Sequence, residues 1–255
     1  DPSRILKVLS GFNPWWKTVA VYPIFIKPYK RFAYHEAMKR LDQTDIRRTV
    51  VLSGARRVGK TTIQFQMIQT LLDRGVAPSH IVFISMDHPI LKLSQLSDVL
   101  DCYHENICPT KDAYYFFDEI QYASSWDQWL KTIYDTQPET QVVATGSASP
   151  VLLKGSTESG AGRWSVIPVP TLSFYEYCAL TGVEAGDIEP SIRPTSFLRL
   201  SQIERSRIMV KLSPVQNHLI RYLQVGGFPE LALAADEKLA QQALREDVVD
   251  KVLKR

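Results

Sequence analysis

Two short stretches of this chain carry residue types and spacings suited to phosphoryl chemistry. Gly54-Ala55-Arg56-Arg57-Val58-Gly59-Lys60-Thr61, followed by Thr62, fits the pattern G-x-x-x-x-G-K-[ST]. In such a run the glycines let the backbone curl, so that successive N–H groups point at phosphate oxygens. Lys60 is then placed to neutralise the β- and γ-phosphates, and Thr61 to offer its hydroxyl to Mg²⁺, a cation that prefers oxygen ligands. The second stretch is Asp118-Glu119, at the end of the apolar run 113–117. Asp118 reads as the metal-shell carboxylate. Glu119, one residue on, reads as the group that orients and deprotonates an attacking water. A third element, Thr145-Gly146-Ser147, ends another apolar run, and either hydroxyl is suited to sense a γ-phosphate or the lytic water. Ser147 is preferred because it follows the glycine, although a plain turn accounts for the same residues.

These groups need a scaffold that brings separate strand ends together. The β-branched run 49–53 predicts a buried strand entering the glycine loop, and a helix over 59–73 stopping at Gly75 follows it. Strands are expected at 81–85, 113–117 and 141–145, with a helix over 93–106 and another after Ser124. That last helix carries Trp126, Trp129, Leu130, Ile133 and Tyr134 on one face, and Ser124 reads as its N-cap. Strands alternating with helices predict a parallel sheet flanked by helices, an α/β P-loop NTPase layout. The strand at 81–85 falls between the phosphate-loop helix and the acidic strand in sequence. This points to the ASCE/AAA-like subclass, in which an extra strand separates the phosphate-loop strand from the acidic one.

Residues 1–33 contain Pro2, Pro14, Pro23 and Pro28 and read as an irregular arm. Residues 34–170 read as the nucleotide-binding domain. Beyond about residue 170 the strand rhythm gives way to helical segments near 173–180, 215–223 and 231–255, which read as a small helical lid, 171–255. The stretch 182–211 is broken by Pro190 and Pro194 and has weak periodicity. The uncapped helical pattern up to Arg255 is expected of a chain cut from a longer protein.

Composition sets outer limits. The chain has 255 residues, 45% of them hydrophobic, enough for a real core. Its apolar runs are strand-sized, far below the roughly 18 residues that span a bilayer. Three cysteines make no closed disulfide framework, no signal-peptide order opens the chain, and a reducing cytoplasm is the default expectation. A net charge of +3 does not by itself imply nucleic acid, although Arg193, Arg199, Arg205, Arg207 and Lys211 face only Glu204 in one stretch. Cys102, His104 and Cys108 have no second half to complete a zinc site and read as a packed helix face.

The sequence resembles the prokaryotic AAA-type P-loop ATPases related to the STAND group, which usually continue into a C-terminal domain of unknown function. The resemblance rests on GARRVGKTT from Gly54, SMDHP from Ser85, FDEIQ from Phe117, TGSAS from Thr145, Gly162-Arg163, LSFYEY from Leu172 and GGFPE from Gly226. It implies ATP with Mg²⁺ as the ligand pair. It further implies that Arg163 stabilises γ-phosphate charge, within the chain or across a homo-oligomer, and that Pro229 brings the lid against the adenine. A surface arginine and an ordinary inter-helix turn remain the alternatives for these two. Three functions follow as expectations: an ATPase switch acting on a downstream domain or protein partner, a nucleotide-stabilised binding module with negligible turnover, and a nucleic-acid-dependent ATPase.

Overall fold

The computed structural model describes residues 1–43, 45–110, 112–147, 162–184 and 194–246. The chain divides into two compact units, Asp1–Pro170 and Thr171–Arg255.

The first unit opens with helix α1 (Pro2–Phe12), where the sequence reading expects an irregular arm. The prolines misled because they sit where a helix tolerates them. Pro2 occupies the first turn, whose N–H groups have no intrahelical partner in any case, with Asp1 capping it by accepting from the Ser3 N–H. Pro14 precedes the single turn Trp15–Thr18, and Pro23 starts the 3₁₀ turn Pro23–Phe25. Helix α2 (Phe32–Leu41) follows and buries Ala33, Tyr34, Ala37, Met38 and Leu41 at helical spacing.

The remaining elements alternate: β1 (Thr49–Gly54), α3 (Lys60–Asp73), β2 (Ile81–Ser85), α4 (Leu96–Asn106), β3 (Tyr114–Asp118), α5 (Trp126–Thr136), β4 (Gln141–Ser147) and β5 (Trp164–Pro168). All strand pairs are parallel, in the order β2-β3-β4-β1-β5. The strand that separates β1 from β3 is therefore β4, while β2 lies at the edge. Strand β1, flanked by β4 and β5, is almost wholly buried, which is why Val50, Val51 and Leu52 run without polar alternation. Strand β5 is absent from the sequence reading: only Trp164, Ile167 and the following Val169 are buried, and Val166 faces outward, so its apolar signal is short. On α5, Trp126, Leu130 and Ile133 are buried and Trp129 and Tyr134 half-buried, and the Trp126 and Trp164 rings lie 5.4 Å apart. The N-cap of α5 is Ser125, in a left-handed conformation, rather than Ser124.

The exposed edge of β2 is closed by residues following α1. Asn13, fully buried, donates from Nδ2 to the Phe83 carbonyl at 2.9 Å and accepts from the Phe83 N–H at 2.6 Å. The indole N–H groups of Trp15 and Trp16 both donate to the Ile81 carbonyl, each at 2.9 Å. Side chains thus occupy hydrogen-bonding positions that another strand would otherwise take.

The second unit is helical: α6 (Phe174–Thr181), a turn at Pro194–Phe197, α7 (Gln202–Val225), a turn at Pro229–Ala232 and α8 (Glu237–Leu244). Capping boxes, Ser173 with Glu176 and Ser201 with Glu204, start α6 and α7. Helix α7 begins well before residue 215 and runs through Pro214. The expected helix 231–255 is instead two pieces, and 247–255 lie outside the described residues, as do Arg193, Pro190 and most of the loop 157–162. Gly227 is needed for a close approach: a Cβ there would sit 2.6 Å from the Leu172 carbonyl oxygen, and its own carbonyl accepts from the Leu172 N–H. Gly227 of GGFPE thus has a packing role inside this unit.

Candidate functional site

Parallel pairing aligns the strand ends. Gly54 of β1 lies opposite Ser147 of β4, Leu52 opposite Thr145, and Ser85 of β2 opposite Asp118 of β3. The phosphate-type loop and the two acids therefore emerge on the same, carboxyl-terminal edge of the sheet, where α/β folds bind ligands.

The loop turns through two left-handed residues, Arg57 (φ 65°) and Gly59 (φ 92°), before entering α3. Ala55, Arg56 and Arg57 are exposed and Val58 is buried. Arg56 donates to the Tyr122 hydroxyl at 2.8 Å. Gly54 is dictated by packing as well as by the loop, since a Cβ there would sit 2.2 Å from the Val169 carbonyl oxygen, just beyond β5. Gly54→Ala is accordingly expected to cost about 1–3 kcal/mol through overpacking, lowering the thermal midpoint by several degrees; an unchanged midpoint would show that β5 yields freely.

Lys60 is buried, its ammonium donating to the Gly54 and Ala55 carbonyls at 3.0 and 2.9 Å. Glu119 Oε1 lies 4.0 Å away. Burial holds the Lys60 pKa below its ordinary value, opposed by the negative charges of Glu119 and Asp118. The Thr61 hydroxyl reaches both Asp118 oxygens, at 3.2 and 3.0 Å. Asp118 is itself buried, and burial pushes its pKa up against the hydrogen bonds from Thr145 and Thr61. A buried carboxylate beside a threonine hydroxyl is an all-oxygen donor pair whose desolvation a cation would relieve, and it fits Mg²⁺.

Glu119 occupies a left-handed conformation (φ 51°), uncommon for a residue with a side chain and frequent where geometry serves a site. Its N–H donates to the Thr145 hydroxyl at 3.0 Å, and that hydroxyl donates to Asp118 at 2.5 Å. Thr145, fully buried, thus joins the two acids, a role that spacing alone could not assign. Gln121 also escaped the sequence reading: its amide holds Glu119 Oε2 through a short hydrogen bond. Ser147 stands at the strand end, opposite Gly54. Asp87 accepts from the Ser85 hydroxyl at 2.5 Å.

Arg163 lies at the other end of the sheet. Its carbonyl accepts from the Thr49 N–H at 2.9 Å, and the next residue, Trp164, pairs with Thr49 at the amino-terminal end of β1. The phosphate-type loop leaves the opposite end, about 16 Å away along the strand at some 3.3 Å per residue. The guanidinium pairs with Asp135 at 3.0 Å. Arg163 thus lies away from its own chain's loop and acids, and the reading across two copies and that of a surface arginine both stay open. Pro229 opens a helical turn in the second unit. His104, between the two cysteines, has both ring nitrogens engaged, with the Cys108 carbonyl and the Tyr115 hydroxyl, each at 2.6 Å.

Among the described residues no helix is long and apolar enough to cross a membrane. The chain is similar to uncharacterized protein MJ1637 of Methanocaldococcus jannaschii, at 29% identity over 87% of this chain and 47% of that one. It is also similar to an uncharacterized Haemophilus influenzae protein, at 26% identity over 76% and 42%. It thus spans less than half the length of these curated relatives. Loose likenesses among solved structures include the S. cerevisiae Hsp104:casein complex (16% identity, TM-score 0.48, covering 86% of this chain and 37% of that one) and AMPPCP-bound DnaA from Aquifex aeolicus (12%, 0.44, 88% and 80%). The AAA domain family matches residues 46–178, just over half the chain and all of the loop, acids and strands described above, and the chain belongs to that family of nucleotide-binding P-loop domains.

Proposed function

We propose that this chain binds ATP with Mg²⁺ at the edge formed by β1, β3 and β4 and hydrolyses it, using the outcome to switch a downstream domain or protein partner. One observation carries the reading: Thr145 bonds both Asp118 and Glu119, while Thr61 donates to Asp118 and Lys60 approaches Glu119. Loop N–H groups and Lys60 take the phosphates, for which Lys60 exchanges its bonds to the Gly54 and Ala55 carbonyls. Thr61 and Asp118 hold Mg²⁺, which when bound neutralises phosphate charge. Glu119, turned inward by its left-handed backbone and held by Gln121, accepts a proton from water as that water's oxygen bonds to the γ-phosphorus and the bond to the ADP oxygen breaks. Ser147 is the hydroxyl we assign to sensing the γ-phosphate. Pro229 is assigned to the adenine and Arg163 to a neighbouring copy.

The test is phosphate release by purified protein with ATP and Mg²⁺, alongside recovery of the bound nucleotide. ADP recovered after incubation supports the switch. ATP recovered intact, even with partners added, overturns it in favour of a nucleotide-stabilised module.

A further inference from the structure

Arg31 stands just ahead of α2, fifteen residues before the family match begins, and is only 6% exposed. Its guanidinium donates through one terminal nitrogen to the Val58 carbonyl at 2.7 Å and through the other to the Pro170 carbonyl at 2.9 Å. Val58 belongs to the phosphate-type loop, and Pro170 is the last residue of the first unit. A guanidinium suits this task because its planar fork serves two acceptors at once.

The consequence for the loop follows from the peptide bond. In a planar trans peptide the carbonyl of one residue and the N–H of the next point in opposite directions. Fixing the Val58 carbonyl toward Arg31 therefore fixes the Gly59 N–H on the opposite side, and a nearby positive charge polarises that peptide and strengthens the N–H as a donor. Gly59, at φ 92°, has unusual conformational freedom, so this peptide plane is one that an outside hold would steady.

We infer that Arg31 is a positioning residue of the phosphate loop: it grips the Val58 carbonyl from outside, aims the Gly59 N–H into the cradle, and ties that peptide to the point where the chain leaves the first unit. The inference rests on the proposed nucleotide site for its ligand and on the structure alone for the loop's order.

Two measurements on the whole chain test it. In nucleotide-free protein, amide hydrogen exchange over residues 54–62 is expected to speed up in Arg31→Lys and further in Arg31→Ala, because an ammonium lacks the planar fork that serves both carbonyls. ATP·Mg²⁺ and inorganic tripolyphosphate are both expected to bind about ten- to a hundredfold more weakly to Arg31→Ala, with partial recovery in Arg31→Lys. Asn13→Ala serves as the control, since it loosens the β2 edge and lowers the thermal midpoint while leaving tripolyphosphate affinity unchanged. Wild-type exchange and affinity retained in Arg31→Lys and in a folded Arg31→Ala overturn the inference. So does a loss of affinity that Asn13→Ala matches at equal loss of thermal midpoint. If wild-type protein binds neither probe, the proposed nucleotide function fails, and the exchange result alone then decides whether Arg31 orders the loop.

Discussion

Glu119→Gln is expected to leave ATP bound and to slow phosphate release by about 10²–10⁴-fold, the usual contribution of a positioned general base. The amide keeps the shape of the carboxylate and loses the lone function the reaction asks of it, accepting a proton from water. The surroundings should survive the exchange. The Glu119 N–H still donates to Thr145, and a side-chain oxygen still accepts from Gln121 once the new amide is turned. The measurement is a pair: nucleotide affinity by titration and single-turnover phosphate release. Unchanged release would move the base elsewhere. Lost affinity would show that the carboxylate serves binding, through its 4.0 Å approach to Lys60, more than chemistry.

Lys60→Met should produce the complementary result. The ammonium is buried among carbonyls, and its pKa is held down by that burial, so the protein bears a desolvation cost for keeping a cation there. An apolar chain of similar length relieves the cost. The thermal midpoint without nucleotide should therefore hold or rise, although the two loop carbonyls lose a donor. Affinity for ATP should fall by about 10²–10³-fold, the worth of two charge-assisted contacts to phosphate. The readout is the nucleotide-dependent rise in midpoint, present in the wild type and absent in Lys60→Met. A variant that still gains stability from ATP would mean the loop amides alone hold the phosphates. A variant already unfolded without nucleotide would mean that Lys60 is chiefly a structural tie across the loop.

Much of this site is legible in the sequence because its residues act through spacing along the chain. Lys60 and Thr61 must follow the glycine loop at fixed positions, and Asp118 and Glu119 must end an apolar strand, so pattern alone assembles them. The residues that escaped act across the fold. Arg31 reaches a carbonyl 27 positions away, and Thr145, named in the sequence only as a candidate γ-phosphate sensor, meets the acids because β4 lies beside β3. Arg163 shows the same limit in reverse: nothing local tells which end of a strand an arginine will face, and the pairing of Trp164 with Thr49 decides it, away from the loop of its own chain. Strand β5 lacks a continuous apolar run because one side of it faces outward, and α1 was hidden by prolines that occupy positions a helix can give them.

The cover over β2 has a bearing on how this protein can be divided. The family match begins at residue 46, so a fragment trimmed to 46–178 would discard Asn13, Trp15 and Trp16 and bare the Phe83 amide, the Phe83 carbonyl and the Ile81 carbonyl together. Those groups form a template onto which an extended segment of another molecule can add. Asn13, Trp15 and Trp16 are thus a built-in stopper against edge-to-edge growth of the sheet, and the smallest piece recognisable as the domain is smaller than the smallest piece able to keep that edge covered.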